Sequence, residues 1–240
     1  AMTAVLMLIF KDTILSLVAS LQISSNDLFK IGDWIEAPQF GADGDVVDIA
    51  LHAVKIQNWD KTISIIPTHK LIDSAFRNWR GMSESGGRRI KRSLFIDMNS
   101  IRLCTEEMLD KFMRFEILTE YINGKIKEVT DHNESNKINT AELINGRRLT
   151  NVGTFRAYIE AYLQNNSKIH PEMTFLIRQL EPTSRGLPIQ IYVFTNDTDW
   201  VRYEGIQADI FDHLLAIIPE FGLKVFQSPT GKDFSKLRSK

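Results

Sequence analysis

Apolar residues at the start of the chain form two runs that a charged pair separates. Residues 2–10 are almost uninterruptedly apolar, Lys11 and Asp12 break the run, and residues 14–23 (ILSLVASLQI) resume it. The apolar residues of the second run recur at helical spacing, in a stripe formed by Ile14, Leu17, Val18 and Leu21. The pattern predicts a helix and leaves two interpretations open. The helix is either amphipathic and packed on a soluble core, or it leaves a membrane at the charged pair.

After residue 26 the periodicity becomes that of β-strands. From Val47 onward apolar residues alternate with polar ones, and the alternation changes phase at Val54, which predicts a bulge or sharp bend inside one long strand. A hairpin turn is predicted at residues 60–61, and residues 71–79 are assigned one more strand. Several short, curved strands within residues 27–80 predict a small barrel-like sheet.

The rest of the chain mixes strands and helices. Residues 81–87 (GMSESGG) read as a flexible linker, and the RRIKR that follows reads as a solvated connector. The elements predicted next, in chain order, are a strand at 93–100, helices at 105–122 and 154–163, strands at 173–180 and 187–194, a helix at 199–218 and a strand at 223–227. This order predicts an α+β sandwich of the ferredoxin-like kind.

Composition narrows the functional classes. With 240 residues the chain is long enough for two modest domains. Its net charge of −1 argues against a general nucleic-acid binder, because such proteins carry a basic excess. One cysteine excludes an intrachain disulfide and fits a reducing compartment such as the cytoplasm. The opening residues lack the features of a secretory signal.

Candidate catalytic chemistry is sparse. The histidines are scattered with no HExxH or CxxC pattern, and Cys104 has no histidine near it in the sequence. Asp43 and Asp45 lie in a glycine-rich turn, which favours hairpin residues over catalytic carboxylates. The four widely spaced tryptophans are interpreted as core or interface anchors. We therefore predict no enzyme activity, no cofactor and no metal site.

Three ordered motifs after the N-terminal helix carry a family resemblance. They are FKIGDW at 29–34, ADGDVV at 42–47 and IPTHK at 66–70, and LIFKDTILSLVASLQIS precedes them at 8–24. In their order and spacing they resemble the β domain and preceding pore helix of small-conductance mechanosensitive (MscS-like) channels. The resemblance assigns structural roles to six motif positions: Phe29, Gly32, Asp33, Gly44, Pro67 and Lys70.

The resemblance also implies an architecture, that of an α+β protein with an all-β part. The expected parts are the lower part of a pore-lining helix (1–26), a small Sm-like β barrel domain (27–80), a ferredoxin-like α/β vestibule domain (81–230) with an insertion near 131–170, and a C-terminal tail (231–240). The insertion sequence at 144–163 is similar to that of the miniconductance (YbdG-type) branch. Family members have further membrane helices upstream, so we expect this chain to lack most of them.

By resemblance, seven copies would form a homo-heptameric ring that opens under membrane tension during osmotic downshock. Ions and small osmolytes would permeate, lipids would contact the N-terminal helix, and the chain would lie mostly on the cytoplasmic side of a bacterial inner membrane. The candidate pore-lining residues are Met2, Val5, Leu8 and Ile9. Lys11 and Asp12 are the candidate positions of a helix bend.

One alternative function stays open from the sequence. Small curved barrels also bind RNA, so the chain could be a soluble Sm-like nucleic-acid-binding protein. Its basic patch would then be Arg88, Arg89, Lys91 and Arg92. The near-neutral net charge and the apolar N-terminus argue against this alternative.

Overall fold

A computed structural model describes residues 2–229, and the predicted tail at 231–240 lies outside the described residues. The chain divides into two compact units, Ala1–Ser85 and Gly86–Lys240. Both units combine helices with an antiparallel sheet.

The first unit joins a long helix to a five-stranded sheet. Its helices are α1 (Met2–Ser25), α2 (Thr68–Ile72) and α3 (Arg80–Glu84). Its strands are β1 (Trp34–Ala37), β2 (Ala42–Ile49), β3 (Ala53–Asn58), β4 (Ile63–Pro67) and β5 (Arg77–Asn78). The strand order is β4-β3-β2-β1-β5, so β4 and β5 form the two edges. Of the strand predicted at 71–79, the structure forms only the two residues of β5.

The predicted long strand with a bend at Val54 is wrong. The structure instead forms a hairpin, in which residues 50–52 turn and the Ala50 amide donates to the Ala53 carbonyl at 2.9 Å. The turn reverses the chain, which accounts for the change of phase. A register shift does occur, but in β2, between Val46 and Asp48. The predicted turn at 60–61 is confirmed, because β3 and β4 pair as a hairpin around it.

A single apolar cluster fills the first unit. It consists of Ile23, Phe29, Ile35, Ala37, Ala42, Val46, Val54, Ile56, Ile66 and Leu71. The ring of Phe29 meets that of Phe76 edge to face, with ring centroids 5.5 Å apart. Ile23 is the member that α1 contributes, so the end of this helix is part of the core.

The second unit packs helices against a three-stranded sheet. Its strands are β6 (Arg88–Ile96), β7 (Leu176–Gln179) and β8 (Leu187–Thr195). Its helices are α4 (Glu106–Met113), α5 (Thr119–Ser135), α6 (Asn151–Gln164) and α7 (Trp200–Ile217). The strand order is β6-β8-β7, which makes β8 the central strand. The strand predicted at 223–227 is reduced to one bridge between Val225 and Ile96, on the edge of β6 that faces away from β8.

Three predictions for the chain after residue 80 are wrong. Residues 80–84 are helical rather than a linker, and RRIKR begins β6 rather than forming a solvated connector, with Ile90 and Leu94 buried on the inner face of this strand. The charged residues beside Ile90 obscured the alternation in the sequence. The helix predicted at 105–122 is divided between α4 and α5, and α5 continues through Ser135. The Thr105 hydroxyl caps α4 by accepting from the Met108 amide at 3.3 Å.

Candidate functional site

Helix α1 packs its small and polar face on the first unit. Ser16, Ala19 and Ile23 are buried, at the spacing of one helix face. The Ser16 hydroxyl and the Nδ1 of His69 on α2 lie 3.1 Å apart in a hydrogen bond. The Ser20 hydroxyl donates to the Leu51 carbonyl at 3.1 Å. Polar contacts of defined geometry therefore hold the C-terminal half of α1 against α2 and the turn at 50–52.

The large apolar side chains of α1 lie on its exposed surface. Leu21 is 62% exposed and Ile9 is 66% exposed, and the others in this set are Phe10, Ile14, Leu15, Leu17 and Val18. This overturns the interpretation in which the apolar stripe packs on the chain's own core. A run of apolar side chains on one exposed helix is typical of a surface that a membrane or another protein covers. Among residues 2–229, no helix is both long and apolar enough to cross a membrane.

The residues predicted to line a pore lie in the first three turns of α1. The backbone of Met2, Val5 and Leu8 is helical, and Ile9 adds an exposed side chain. Helix α1 continues without interruption through Lys11 and Asp12, both of which are exposed. The bend at this charged pair and the pore-lining roles stay predictions.

An ion-pair cluster lies where α1 ends and the sheet begins. Arg80 of α3 donates from Nε to both carboxylate oxygens of Asp33, at 3.1 and 3.0 Å, and from Nη1 to Asp27 at 3.0 Å. The Asp33 carboxylate also accepts from the Lys30 amide at 2.8 Å and from Asn78 at 3.1 Å. Asp27 follows the last turn of α1, and Asp33 precedes β1. One guanidinium therefore fixes the exit of the helix to the start of the sheet.

The charges in this cluster are mutually stabilised. Partial burial opposes the charge of Asp33, but the hydrogen bonds from Arg80, the Lys30 amide and Asn78 outweigh it, so the pKa of this carboxyl lies below its ordinary value. The hydrogen bond to Asp33 raises the pKa of Arg80. Side-chain exposure is 12% for Asp33 and 21% for Arg80, so solvent screens this pair less than a surface pair.

The two motif glycines occupy positions that a side chain would disturb. Gly32 has a φ of +92°, and its amide donates to the Val46 carbonyl at 2.8 Å, which turns the chain into β1. A Cβ on Gly44 would lie 1.9 Å from the carbonyl oxygen of Gln57, so β2 and β3 approach closely at this point. Both glycines therefore serve the geometry of the sheet.

The other motif positions are also structural. Phe29 is buried in the core, as described above. Pro67 is the last residue of β4 and directly precedes α2. Lys70 is exposed on α2, and its carbonyl oxygen accepts from the Ser74 hydroxyl at 2.8 Å. The structure thus places Phe29, Gly32, Asp33 and Gly44 in the helix–sheet junction and its core, while Lys70 faces solvent.

Sequence reasoning missed a tryptophan cluster on the β sheet. Trp34 stacks on Trp79 with ring centroids 4.6 Å apart and meets Trp59 edge to face at 5.3 Å. The indole nitrogens of Trp34 and Trp59 both donate to one oxygen of Asp43, at 2.7 and 3.1 Å. The residues are far apart in sequence, so only the strand pairing reveals the cluster. Asp43 therefore has a structural role as the hydrogen-bond acceptor for two indole nitrogens.

The basic residues of the alternative function contact aromatic rings. Arg88 lies over the ring of Tyr203 at 4.6 Å, Arg89 over Tyr192 at 5.6 Å and Arg92 over Phe211 at 4.5 Å. These cation–π contacts assign three of the four predicted patch residues to packing within the second unit. Among residues 2–229, no three or more His, Cys, Asp or Glu side chains converge as metal ligands would.

Comparison with known proteins points to one family. Residues 12–81 match the family model described as "Mechanosensitive ion channel, beta-domain". Two curated relatives come from Methanocaldococcus jannaschii. The chain is 34% identical over 73 residues to its small-conductance mechanosensitive channel MscMJ and 37% identical over 68 residues to its large-conductance mechanosensitive channel MscMJLR. These matches cover 30% and 28% of this chain but only 20% and 18% of the relatives' lengths.

Solved structures extend the likeness in fold beyond the β strands. Helicobacter pylori MscS in its closed state is similar over 95% of this chain and 68% of its own, with a TM-score of 0.59 and 13% identity. Arabidopsis thaliana MSL1 is similar over 94% of this chain and 63% of its own, with a TM-score of 0.59 and 14% identity. At such low identity these likenesses describe the fold alone: mixed α and β content with antiparallel sheets.

Proposed function

Because residues 12–81 carry the β-domain of the MscS-like mechanosensitive channel family, we propose that this chain is the pore-proximal helix and cytoplasmic part of a mechanosensitive channel subunit. In this proposal the subunits assemble in a bacterial inner membrane, with the two units described here mostly on the cytoplasmic side. Ions and small osmolytes pass through the assembly when osmotic downshock stretches the membrane.

One observation carries the proposal: α1 buries Ser16 and exposes its apolar stripe. Ser16 is 3% exposed and Leu17 is 48% exposed, the reverse of what a helix in a self-contained soluble unit shows. Covering this stripe with lipid or with the same helix from neighbouring subunits removes the apolar surface from water, which is favourable. A pore-lining helix contacts both lipid and the same helix of neighbouring subunits.

The first turns of α1 supply the proposed constriction. Val5 and Leu8 lie three residues apart, and Ile9 lies four residues after Val5, so with Met2 these positions fall on one side of the helix. A ring of such apolar side chains gates by dewetting. Lateral tension favours the conformation that occupies more membrane area, and the two-state equilibrium therefore shifts toward opening.

The edge strand β4 supports ring assembly. Ile63 is 53% exposed and Ile65 is 63% exposed on this strand, and its outer edge has no strand beside it among residues 2–229. An exposed apolar edge strand favours pairing with another chain. We propose that β domains pair around a heptameric ring in this way. The sequence at 144–163 supports placement in the miniconductance branch.

Current recording from membrane patches tests the channel function. The full-length protein is expressed in cells that lack their own mechanosensitive channels, and suction is applied. We expect stretch-activated currents, and we expect Leu8→Asn to lower the threshold because a polar ring is more easily wetted. Leu143→Asn, the same change at a side chain 67% exposed in the second unit, serves as control and leaves the threshold unchanged. Absence of stretch-activated current would overturn the proposal, and salt-sensitive RNA binding by a monomer would favour the alternative.

A further inference from the structure

The second unit contains a cleft that the channel function does not use. It lies between α5, the start of α4 and the segment 136–149 that follows α5, and its volume is about 850 Å³. Ligand sites for small molecules typically have volumes of about 300–1,000 Å³. The segment 136–149 falls in the region near 131–170 where the resemblance leads us to expect an insertion.

Hydrogen bonds hold the wall of the cleft in place. Asn133 of α5 donates to the Arg147 carbonyl at 3.0 Å and accepts from the Arg147 amide at 2.8 Å. Arg148 donates to the carbonyls of Thr140 and Leu143, at 2.6 and 3.2 Å. The Cys104 amide donates to the Leu149 carbonyl at 2.8 Å, which joins the two sides. The chain's own hydrogen bonds therefore order the wall of the cleft, and binding requires little further ordering of the chain.

The lining is apolar with charged groups around it. The apolar lining side chains are Leu103, Leu109, Ile126, Val129, Ile138, Leu143 and Leu149. The cationic ones are Arg102, Lys137, Arg147 and Arg148, and the carboxylates are Glu106 and Glu134. Such a lining accommodates a molecule that has both an apolar and an anionic part.

The charge balance of the lining favours an anionic ligand. Glu128, outside the lining, pairs with both Lys125 and Arg147, at 2.6 and 2.7 Å, and Arg148 donates to neutral carbonyls, which leave its charge in place. Within residues 2–229, no carboxylate forms an ion pair with Arg102 or Lys137. Among the lining side chains, four cations face two carboxylates, which leaves a positive excess. A carboxylate therefore complements the cleft.

We propose that this cleft binds a small carboxylate amphiphile, a molecule with an apolar body and one carboxylate group. The apolar body contacts the side chains of α5 and the segment 136–149, and the carboxylate pairs with the cationic side chains at the rim. Arginine suits this role because its planar guanidinium matches the two oxygens of a carboxylate.

Cys104 provides a local reporter of binding. It is the one cysteine of the chain, it lines the cleft, and burial raises the pKa of its thiol. The rate at which a thiol reagent labels Cys104 in the full chain therefore depends on access through the cleft. The labelling rate of Cys104 does not report binding of an amphiphile to the apolar stripe of α1.

The probe is decanoate, below the concentration at which it forms micelles. We expect it to slow labelling of Cys104 to a plateau, with a saturable concentration dependence. Decanol and decyltrimethylammonium, which share the alkyl chain, should bind about twofold to fivefold more weakly, the effect of losing an exposed charge interaction. Equal protection by all three compounds, or no protection by decanoate, would overturn the proposal.

Matched variants test the charge requirement. The double variant Arg102→Gln with Lys137→Gln should raise the decanoate Kd by about threefold to tenfold. Lys127→Gln removes the same kind of charge from α5 outside the cleft lining and should leave the Kd unchanged. Thr130→Trp fills the cleft and should make labelling slow and independent of decanoate. Circular dichroism verifies that each variant folds, and an unchanged Kd in the folded double variant would contradict the proposal.

Discussion

Helix α7 of the second unit packs large apolar side chains inward, whereas α1 of the first unit packs small and polar ones inward. Ile210, Phe211 and Leu214 of α7 are buried, and Ser16 and Ala19 are their counterparts in α1. In sequence, both helices carry apolar residues at helical spacing. The difference teaches that an apolar stripe identifies the face that avoids water but not what covers it. The second unit covers the stripe of α7, while the first unit leaves the stripe of α1 exposed.

The largest effect is expected from truncating the inward face of α7. Leu214→Ala removes a fully buried side chain and should lower the free energy of unfolding by about 2–5 kcal/mol, because it opens a cavity. Leu21→Ala removes the same atoms from the exposed face of α1 and should change it by less than about 0.5 kcal/mol. Denaturant unfolding measures both. Equal losses of unfolding free energy in the two variants would contradict the comparison, because they would show that the α1 stripe is packed inside the isolated chain.

A smaller effect is expected at the helix–sheet junction of the first unit. Asp33→Asn weakens the contacts with Arg80 and should lower the free energy of unfolding by about 1.5–3 kcal/mol, the range for hydrogen bonds to a charged group. Asp48→Asn breaks the exposed pair with Lys55 and should have little effect. Denaturant unfolding of both variants measures these effects. A similar loss in the two variants would show that the Asp33–Arg80 contacts stabilise the chain no more than an exposed ion pair does.

The same junction predicts a pH dependence. The pKa of Asp33 is lowered in the folded state, so its stabilisation is complete above the ordinary value of 3.8 and is lost as the pH falls from there through the folded pKa. Between neutral pH and this region, Asp33 contributes no slope. The free energy of unfolding of the Asp33→Asn variant should therefore fall less steeply with decreasing pH than that of the unchanged chain. An identical acid profile would contradict the assigned role.

The smallest effect is expected where α1 docks on α2. Ser16→Ala removes the hydrogen bond to His69 and should cost about 1 kcal/mol. Amide hydrogen exchange of residues 16–23 should then be about fivefold faster, if local opening governs exchange. Ser24→Ala, an exposed serine on the same helix, is the control. Faster exchange in the control variant alone would break the claim that the polar face holds α1.

Much of the first unit could be predicted from its sequence because local signals dominate there. Gly32 and Gly44 stand where the backbone needs a positive φ or a close approach, and Asp33 stands where a carboxylate fixes a turn. The strand that begins with RRIKR was not predicted because its four charged residues obscure the alternation of apolar and polar positions. The sequence also does not show that an arginine on an exposed strand position covers an aromatic ring, as Arg92 covers Phe211.

Contacts between residues that are far apart in the sequence could not be predicted in the same way. The sequence shows the stripe on α1 but not that Ser16 and Ser20 would find partners on α2 and in the loop at 50–52. Trp34, Trp59 and Trp79 meet only after the sheet pairs. The cleft beside α5 depends on how the segment 136–149 folds back, for which periodicity gives no signal.

The central claim is that copies of α1 cover one another's apolar stripe in a membrane-embedded ring. The most direct test places Ile9→Cys in a Cys104→Ser background of the full-length protein and oxidises native membranes. The account predicts rapid formation of covalent dimers, which the Cys104→Ser protein without Ile9→Cys does not form and which vanish if the protein is unfolded in denaturing detergent before oxidation. Exclusively monomeric protein after oxidation of intact membranes would contradict the account.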